Sequence, residues 1–161
     1  ALWSKQEVRF RGKFHHLPAV GLSLAPVQRP IPIWMAATRA SGPKVLRRIG
    51  RLADGVIPEW SPGEDAQEIF EFILAEAEKA GRDPTLIGCE PKIALRGGEH
   101  RAGNEEAEMK SDEEIAAEIG AWKNTRVTHL EFKSRSCGLT SIDEHIREAT
   151  RFKEIADSVL S

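Results

Sequence analysis

The stretch that decides the fold is Pro30-Ile31-Pro32-Ile33-Trp34-Met35-Ala36-Ala37-Thr38-Arg39-Ala40-Ser41-Gly42-Pro43. It begins as a short apolar run, continues through small residues and then enters a helical pattern. Its spacing predicts a buried strand over Ile31–Met35 and a helix over Lys44–Leu52. A buried strand that ends in small residues before a helix presents backbone N–H groups in a way that favours an anion.

The turn predicted after this strand is a candidate phosphate site. Thr38, Arg39 and Ser41 add side-chain donors that suit phosphate oxygens, and the backbone of Ala36 and Ala37 adds further N–H groups. The fixed glycine spacing of a phosphate-binding loop is missing. An ordinary strand-to-helix turn is therefore the alternative interpretation.

Composition limits the class of protein. The chain has 161 residues, enough for one domain with a hydrophobic core, and its 23 Lys and Arg nearly balance its 25 Asp and Glu. The near-neutral charge argues against nucleic-acid or membrane-surface partners, and no apolar run reaches the roughly 18–20 residues of a membrane span. Two cysteines, Cys89 and Cys137, suit a reducing, cytoplasmic setting. The abrupt start without Met indicates a piece of a longer protein.

The rest of the chain continues as alternating elements. Residues 1–29 are expected to form a hairpin at Val8–Leu17 and an irregular insertion, and 30–161 to form strand–helix units of the same single domain. Apolar periodicity and capping residues place the other elements. They are strands at Val56–Pro58, Ile87–Leu95 and Val127–Lys133, and helices capped by Ser61, Ser111 and Ser141. The first of these helices is expected to run to about Ala80 with Gly81 as its C-cap. The last is expected to bury Ile146, Ala149, Phe152, Ala156 and Val159.

Strand and helix alternate four times, which predicts an α/β fold with parallel strands joined by crossover helices. A complete (β/α)8 TIM barrel needs about 250 residues. The sequence therefore predicts a partial TIM barrel of about four C-terminal βα units, with an N-terminal hairpin before them.

The sequence resembles the luciferase-like monooxygenase family. Four segments carry the resemblance in the family's order. They are Val8-Arg9-Phe10-Arg11-Gly12-Lys13-Phe14, Pro26 to Trp34, Leu46 to Pro58, and Thr128-His129-Leu130 with Gly138-Leu139-Thr140 and Asp143-Glu144-His145-Ile146. The resemblance implies the C-terminal half of a TIM barrel that uses FMN or the deazaflavin coenzyme F-420.

The resemblance also implies a cofactor-phosphate role for the turn after the Ile-Trp strand. Ala36, Ala37, Thr38, Arg39 and Ser41 occupy that place here, with alanines where the family often has paired glycines. Alanine keeps its N–H, but its methyl group limits positive φ and close approach of a ligand. The side-chain donors of Thr38, Arg39 and Ser41 are expected to compensate.

Other candidate residues lie at the predicted C-terminal ends of the strands, where active sites of this fold are found. Trp60, Arg135 and Gly138 are expected at the rim of a substrate pocket, the alternative for Trp60 and Arg135 being an ordinary surface role. No base is recognisable beside Cys137, so we expect a structural thiol. The five histidines show no metal-ligand spacing, and no metal is expected. The catalytic residues are not identified.

The resemblance implies an oxidoreductase that transfers hydride or oxygen to a small organic substrate. In such enzymes the cofactor supplies the chemistry and the protein positions it. The chain is expected to form a homo-oligomer or to require a missing N-terminal half, and to be inactive alone. A non-catalytic cofactor-binding or dimerisation module is the alternative. An unrelated phosphate-sugar enzyme would need strand-end carboxylates, for which Glu59 and Glu131 are the nearest candidates.

Overall fold

The computed structural model describes residues 3, 5–24, 26–96, 108–123, 125–135 and 137–161. The chain divides into two compact units, Ala1–Ile33 and Trp34–Ser161. The polar, glycine-containing sequence between Arg96 and Lys110 predicts a loop, and this segment lies mostly outside the described residues. The assignment of residues 1–161 to a single domain stays a prediction.

The first unit is a β-hairpin. Strands β1 (Val8–Arg11) and β2 (His16–Val20) pair antiparallel. The turn is closed by the N–H of Gly12, which donates to the carbonyl oxygen of His15 at 2.8 Å. The predicted hairpin is confirmed, but the expectation that the irregular segment starts at Pro18 is wrong. Pairing with Val8 extends the second strand to Val20.

The second unit consists of alternating strands and helices. Strands β3, β4 and β5 form one parallel sheet, and β6 and β7 form a second parallel pair. The parallel direction and the predicted order are confirmed. In chain order the elements are β3 (Trp34–Thr38), α1 (Pro43–Leu52), β4 (Gly55–Glu59), α2 (Glu64–Lys79), β5 (Gly88–Cys89), β6 (Lys92–Ala94), α3 (Asp112–Lys123), β7 (Glu131–Lys133) and α4 (Ile142–Leu160).

The first strand of this unit begins three residues later than the sequence predicts. The prediction of Ile31–Met35 is wrong, because β3 pairs with β4 from Trp34 to Thr38. Proline has no N–H to give to a ladder, so Pro30 and Pro32 shift the pairing towards the C-terminus. As a result Ala36 and Ala37 lie inside the strand and not in the turn after it.

The predicted third and fourth strands are shorter than expected. Pro91 divides the segment Ile87–Leu95 into β5, which pairs with β4, and β6, which pairs with β7. The segment Val127–Lys133 is regular only from Glu131. Before that residue, the N–H groups of Thr128 and His129 both donate to the carbonyl oxygen of Cys89, at 3.0 and 3.2 Å, which leaves no regular ladder there.

Two of the three predicted serine caps are confirmed. Ser111 and Ser141 cap α3 and α4, each exchanging hydrogen bonds with the glutamate three residues later. The predicted cap at Ser61 is wrong, because α2 begins after Gly63, whose φ of 152° suits glycine. The helix ends at Lys79 with Ala80 as its cap, so Gly81 lies one residue beyond the cap, with φ of 74°.

Helix α4 packs mainly through its C-terminal half. Phe152 and Ile155 are buried, whereas Ile146 is 58% exposed and Ala149 is exposed. The prediction that Ile146 and Ala149 point inward is therefore wrong. The apolar spacing is helical along the whole segment, but only the later turns contribute buried side chains.

The parallel strands have two different faces. Alternate residues, including Val56 and Ile93, pack against the helices in two apolar clusters. Because successive strand residues point to opposite sides, the residues between them lie on the other side, which we call the open face. On β6 these are Lys92 and Ala94.

The indole ring of Trp34 covers the open face at the N-terminal ends of three strands. Trp34 is paired with Gly55, which in turn is paired with Gly88. A Cβ on Gly55 would lie 2.3 Å from Cε3 of Trp34, and one on Gly88 would lie 2.4 Å from its Cη2. The ring of His129 meets the indole edge-on, with centroids 5.3 Å apart. Both glycines are therefore required by the ring.

This packing predicts opposite effects of two Gly-to-Ala substitutions. Gly55→Ala inserts a methyl group into the indole ring and should destabilise the protein by about 1–3 kcal/mol. Gly120→Ala, inside α3 with its nearest neighbour atom 3.9 Å away, should stabilise it by about 0.5–1 kcal/mol. Urea unfolding followed by circular dichroism measures both.

The combination of Gly55→Ala with Trp34→Phe serves as the control, because a smaller ring relieves the clash. The double variant should lose less stability than the sum of the two single changes. Strict additivity would mean that the ring does not determine the glycine.

Candidate functional site

The parallel direction brings the predicted site residues to one end of the strands. Thr38 ends β3 opposite Glu59 at the end of β4, and Trp60 follows directly. Arg135 follows two residues after the end of β7. We call this end, with the turns that follow the strands, the rim.

The donors of the predicted phosphate turn lie together and bond to one another. The N–H of Thr38 donates to Oγ of Ser41 at 3.0 Å, and the N–H of Ser41 donates to the carbonyl oxygen of Thr38 at 2.9 Å. Arg39 Nη1 donates to Oδ2 of Asp65, in the first turn of α2, at 2.9 Å. The structure thus brings the three side chains together. However, two backbone N–H groups and the guanidinium of Arg39 already have hydrogen-bond partners.

A groove of about 770 Å³ opens at the rim beside Trp60. Charged side chains dominate its lining, accompanied by two indole rings and smaller groups. The lining residues are Arg39, Pro58, Glu59, Trp60, Ser61, Lys92, Ala94, Arg96, Lys110, Glu118 and Trp122. The groove is large enough to hold part of a nucleotide-sized or small organic ligand.

The lysines of the groove are paired with carboxylates. Lys92 Nζ lies 3.2 Å from Oε1 of Glu59 and 3.9 Å from Oε2 of Glu131. Lys110 Nζ lies 2.5 Å from Oε2 of Glu118. The Glu59–Lys92 pair joins the end of β4 to the start of β6, across the break in the sheet at Pro91.

Trp60 separates the groove from a second, smaller cavity. Both Trp60 and Trp122 line the groove as well as an apolar pocket of about 70 Å³ between α2 and the end of α3. Cys89 also lines this pocket, and burial raises its pKa to about 12. A thiol with so high a pKa is protonated at neutral pH and is a poor nucleophile.

The loop after β7 holds the remaining predicted residues. Arg135 is exposed, and within the described part of the chain its guanidinium has no hydrogen-bond partner. Cys137 is buried, and its thiol points at the carbonyl oxygens of Lys133 and Arg135 at 4.0 and 3.7 Å. This geometry is that of a structural thiol.

Gly138 gives this loop a close approach to β6. Its φ of 73° is one that other residues rarely adopt. A Cβ at this position would lie 2.9 Å from Nη2 of Arg96. In the same loop, Oγ of Ser134 lies 2.9 Å from Nδ1 of His145 on α4, which fixes the loop against the helix.

A carboxylate of the chain itself occupies the N-terminus of α4. Glu144 Oε2 accepts from the N–H of Thr140 at 2.7 Å, from the N–H of Ser141 at 2.9 Å and from the Thr140 hydroxyl at 3.1 Å. These donors lower the pKa of Glu144 from 4.5 to about 2. The helix N-terminus is therefore filled by Glu144.

The sequence interpretation missed most charged residues of the groove. Lys92 and Arg96 alternate with the apolar Ile93 and Leu95. This period of two is a strand signal, and it would have predicted that both basic side chains lie on the open face. No such signal links Lys110 to Glu118 or Arg39 to Asp65, because these contacts depend on how the helices pack.

Neither a membrane-spanning helix nor a metal-binding cluster occurs in the described part of the chain. No helix there has both the length and the apolar character of a membrane span. No group of three or more His, Cys, Asp or Glu side chains there could hold a metal ion.

Comparison with known proteins identifies similar chains. A family model described as luciferase-like monooxygenase matches residues 1–151. The chain is 32% identical over 108 residues to an F420-dependent hydroxymycolic acid dehydrogenase of Mycobacterium tuberculosis, covering 67% of the chain and 29% of that protein. It is 37% identical over 84 residues to an F420-dependent glucose-6-phosphate dehydrogenase of Gordonia bronchialis, covering 51% and 24%.

Among solved structures, the fold is similar to that of an F420-dependent secondary alcohol dehydrogenase in complex with an F420-acetone adduct. The TM-score is 0.68 at 18% identity, over 98% of this chain and 58% of that chain. The chain spans less than a third of the length of the two curated relatives described above.

The Glu144 cap predicts how stability depends on pH. Since the folded-state pKa lies below the value of 4.5, the ionised carboxylate stabilises the fold above pH 4.5, and this contribution disappears as the pH falls through about 2. Glu144→Gln keeps an acceptor oxygen but removes the charge. The difference in urea midpoint between the unmodified protein and the Glu144→Gln variant should therefore narrow as the pH falls below 4.5. Glu154→Gln, at an exposed position on the same helix, is the control for removal of one carboxylate charge. A Glu144 carboxyl signal that titrates near 4.5 in NMR would contradict this.

Proposed function

We propose that this chain, which belongs to the luciferase-like monooxygenase family, contributes the rim of the cofactor site of an oxidoreductase that transfers hydride or oxygen to a small organic substrate. The observation that carries the proposal is the position of Thr38, Trp60 and Arg135 at one end of parallel strands. In this fold that end is where cofactors and substrates bind. The bound cofactor supplies the redox chemistry, and the protein positions it and excludes water.

The similar proteins favour the deazaflavin coenzyme F-420 over FMN. Both curated relatives described above are named as F420-dependent. The matches cover only part of those relatives. Their substrates are therefore not proposed for this chain. We propose a cytoplasmic enzyme with a deazaflavin cofactor, and the names of the relatives support the cofactor.

The donor set at the rim suits the anionic tail of such a cofactor. Thr38 and Ser41 offer hydroxyl groups, and Arg39 and Arg135 offer guanidinium groups that bond phosphate and carboxylate oxygens in pairs. The Arg39–Asp65 ion pair is 55% and 65% exposed at its two side chains. Ion pairs this exposed contribute about 0–1 kcal/mol, so an anionic ligand can replace Asp65 at little cost.

One observation favours the alternative of a non-catalytic module with the same fold. Thr38 and Ser41 use two of their N–H donors on each other, and Ala36 and Ala37 lie within the strand. The backbone there offers less to a phosphate than a glycine-rich turn does. Affinity for the cofactor distinguishes only the dimerisation form of this alternative, since a purely structural module would not bind the cofactor.

Substitution of the two partners of the Arg39–Asp65 pair should change the affinity for the cofactor in opposite directions. Asp65→Asn frees the guanidinium and removes a nearby negative charge, so it should tighten cofactor binding severalfold. Arg39→Ala removes a charge-assisted hydrogen bond and should weaken binding about tenfold. Quenching of F-420 and FMN fluorescence on titration with the 161-residue chain measures the affinity.

Arg48→Ala serves as the matched control, because Arg48 is an exposed arginine on the helix that follows the turn. It should leave the affinity unchanged. If Arg39→Ala and Arg48→Ala weakened cofactor binding equally, Arg39 would act only through the overall charge of the protein and not through direct contact with the cofactor. Absence of F-420 and FMN binding by the intact protein that contains this chain would favour a purely structural, non-catalytic module.

A further inference from the structure

We infer that the groove beside Trp60 receives an uncharged, hydroxyl- or carbonyl-bearing part of the substrate and disfavours phosphate and carboxylate groups. This inference rests on the proposed function and specifies the substrate class for the same site. Two observations carry it. The lysines in the groove are paired with carboxylates, and these pairs are less exposed than the Arg39–Asp65 pair at the rim.

The first pairing is that of Lys92, which lies between two carboxylates. Its ammonium group is 3.2 Å from Glu59 and 3.9 Å from Glu131, and its side chain is 28% exposed. Two negative charges within 4 Å more than balance its single positive charge. An anion that approached Lys92 would therefore meet a net negative group of three side chains.

The second pairing is that of Lys110 with Glu118, at 2.5 Å. These side chains are only 17% and 28% exposed, so water screens the pair less than it screens Arg39 and Asp65. Separation of a partly buried pair leaves one charge without a partner in a poorly solvated place, which is unfavourable. Arg96, which also lines the groove, is engaged in an interaction as well. Arg39 lines the groove where it meets the rim and is paired with the exposed Asp65.

An uncharged polar group can bind without disturbing these pairs. A lysine has three donor hydrogens and a carboxylate about four acceptor sites, so each pair still has bonding capacity towards a hydroxyl or carbonyl group. The indole rings of Trp60 and Trp122 and the ring of Pro58 provide apolar surface for a carbon skeleton. Together these groups fit a neutral alcohol, aldehyde or ketone.

The test uses two small probes that share one skeleton and differ in charge, cyclohexanol and cyclohexanecarboxylate. Binding to the 161-residue chain is followed by the indole N–H signals of Trp60 and Trp122 in NMR spectra, with Trp34 as internal reference because it does not line the groove. We expect cyclohexanol to shift the two groove signals and cyclohexanecarboxylate to bind at least about tenfold more weakly.

Glu118→Gln tests the cause of the selectivity. It frees Lys110, so it should improve the affinity for cyclohexanecarboxylate relative to cyclohexanol about tenfold. Glu78→Gln, at an exposed position on α2 without a place in the groove, should leave the ratio unchanged. Glu59→Gln, which removes the nearer partner of Lys92, is a second variant if Glu118→Gln does not fold.

Three results would overturn the inference. They are cyclohexanecarboxylate binding to the unmodified chain as tightly as cyclohexanol, an unchanged ratio in the folded Glu118→Gln or Glu59→Gln variant, and no shift with cyclohexanol. None of these measurements involves the cofactor. A failure here therefore differs from a failure of F-420 to bind at Arg39, which would count against the proposed function itself.

Discussion

The contact between the Trp34 ring and the backbone of two glycines is the constraint on which the rest of the described sheet depends. The indole lies across the row formed by Trp34, Gly55 and Gly88, where any Cβ would approach the ring to less than 2.5 Å. This row fixes the register of three strands, because a shift by one residue would turn every side chain to the other face. It fills the open face at the N-terminal ends of the strands, and the polar residues lie towards the opposite ends.

Local signals made the order of elements and two helix starts predictable. Ser111 and Ser141 form capping boxes within four consecutive residues, so the sequence contains the whole interaction. Strand bounds were less predictable, because pairing partners decide them. Pro91 is visible as a break in a ladder, but only the structure shows that the chain changes partner strand there. Likewise, the apolar spacing of α4 includes Ile146, yet the neighbouring elements leave it exposed.

At the rim, too, the sequence predicts where residues lie but not which residues they contact. Parallel strands place Thr38, Trp60 and Arg135 at one end whatever the details of packing, which is why the sequence could locate them. The sequence could not show that Arg39 would contact Asp65, which is 26 residues away, or that Lys92 would lie between Glu59 and Glu131. These partners decide the chemistry, because a guanidinium or ammonium beside a carboxylate attracts an anion far less than a free one.

The lysine–glutamate pairs in the groove and the Arg39–Asp65 pair at the rim would respond differently if the open face were covered by a bound ligand or by further protein. Coulomb energy rises as the effective dielectric constant falls, so pairs that remain inside a covered groove strengthen. Lys92 with Glu59 and Lys110 with Glu118 lie inside, at 17–39% exposure of their side chains. Arg39 with Asp65 lies at the edge and stays exposed to water and salt, which weaken it. Covering the groove would therefore increase its preference for neutral groups, while the arginine at the rim would remain available to an anionic tail.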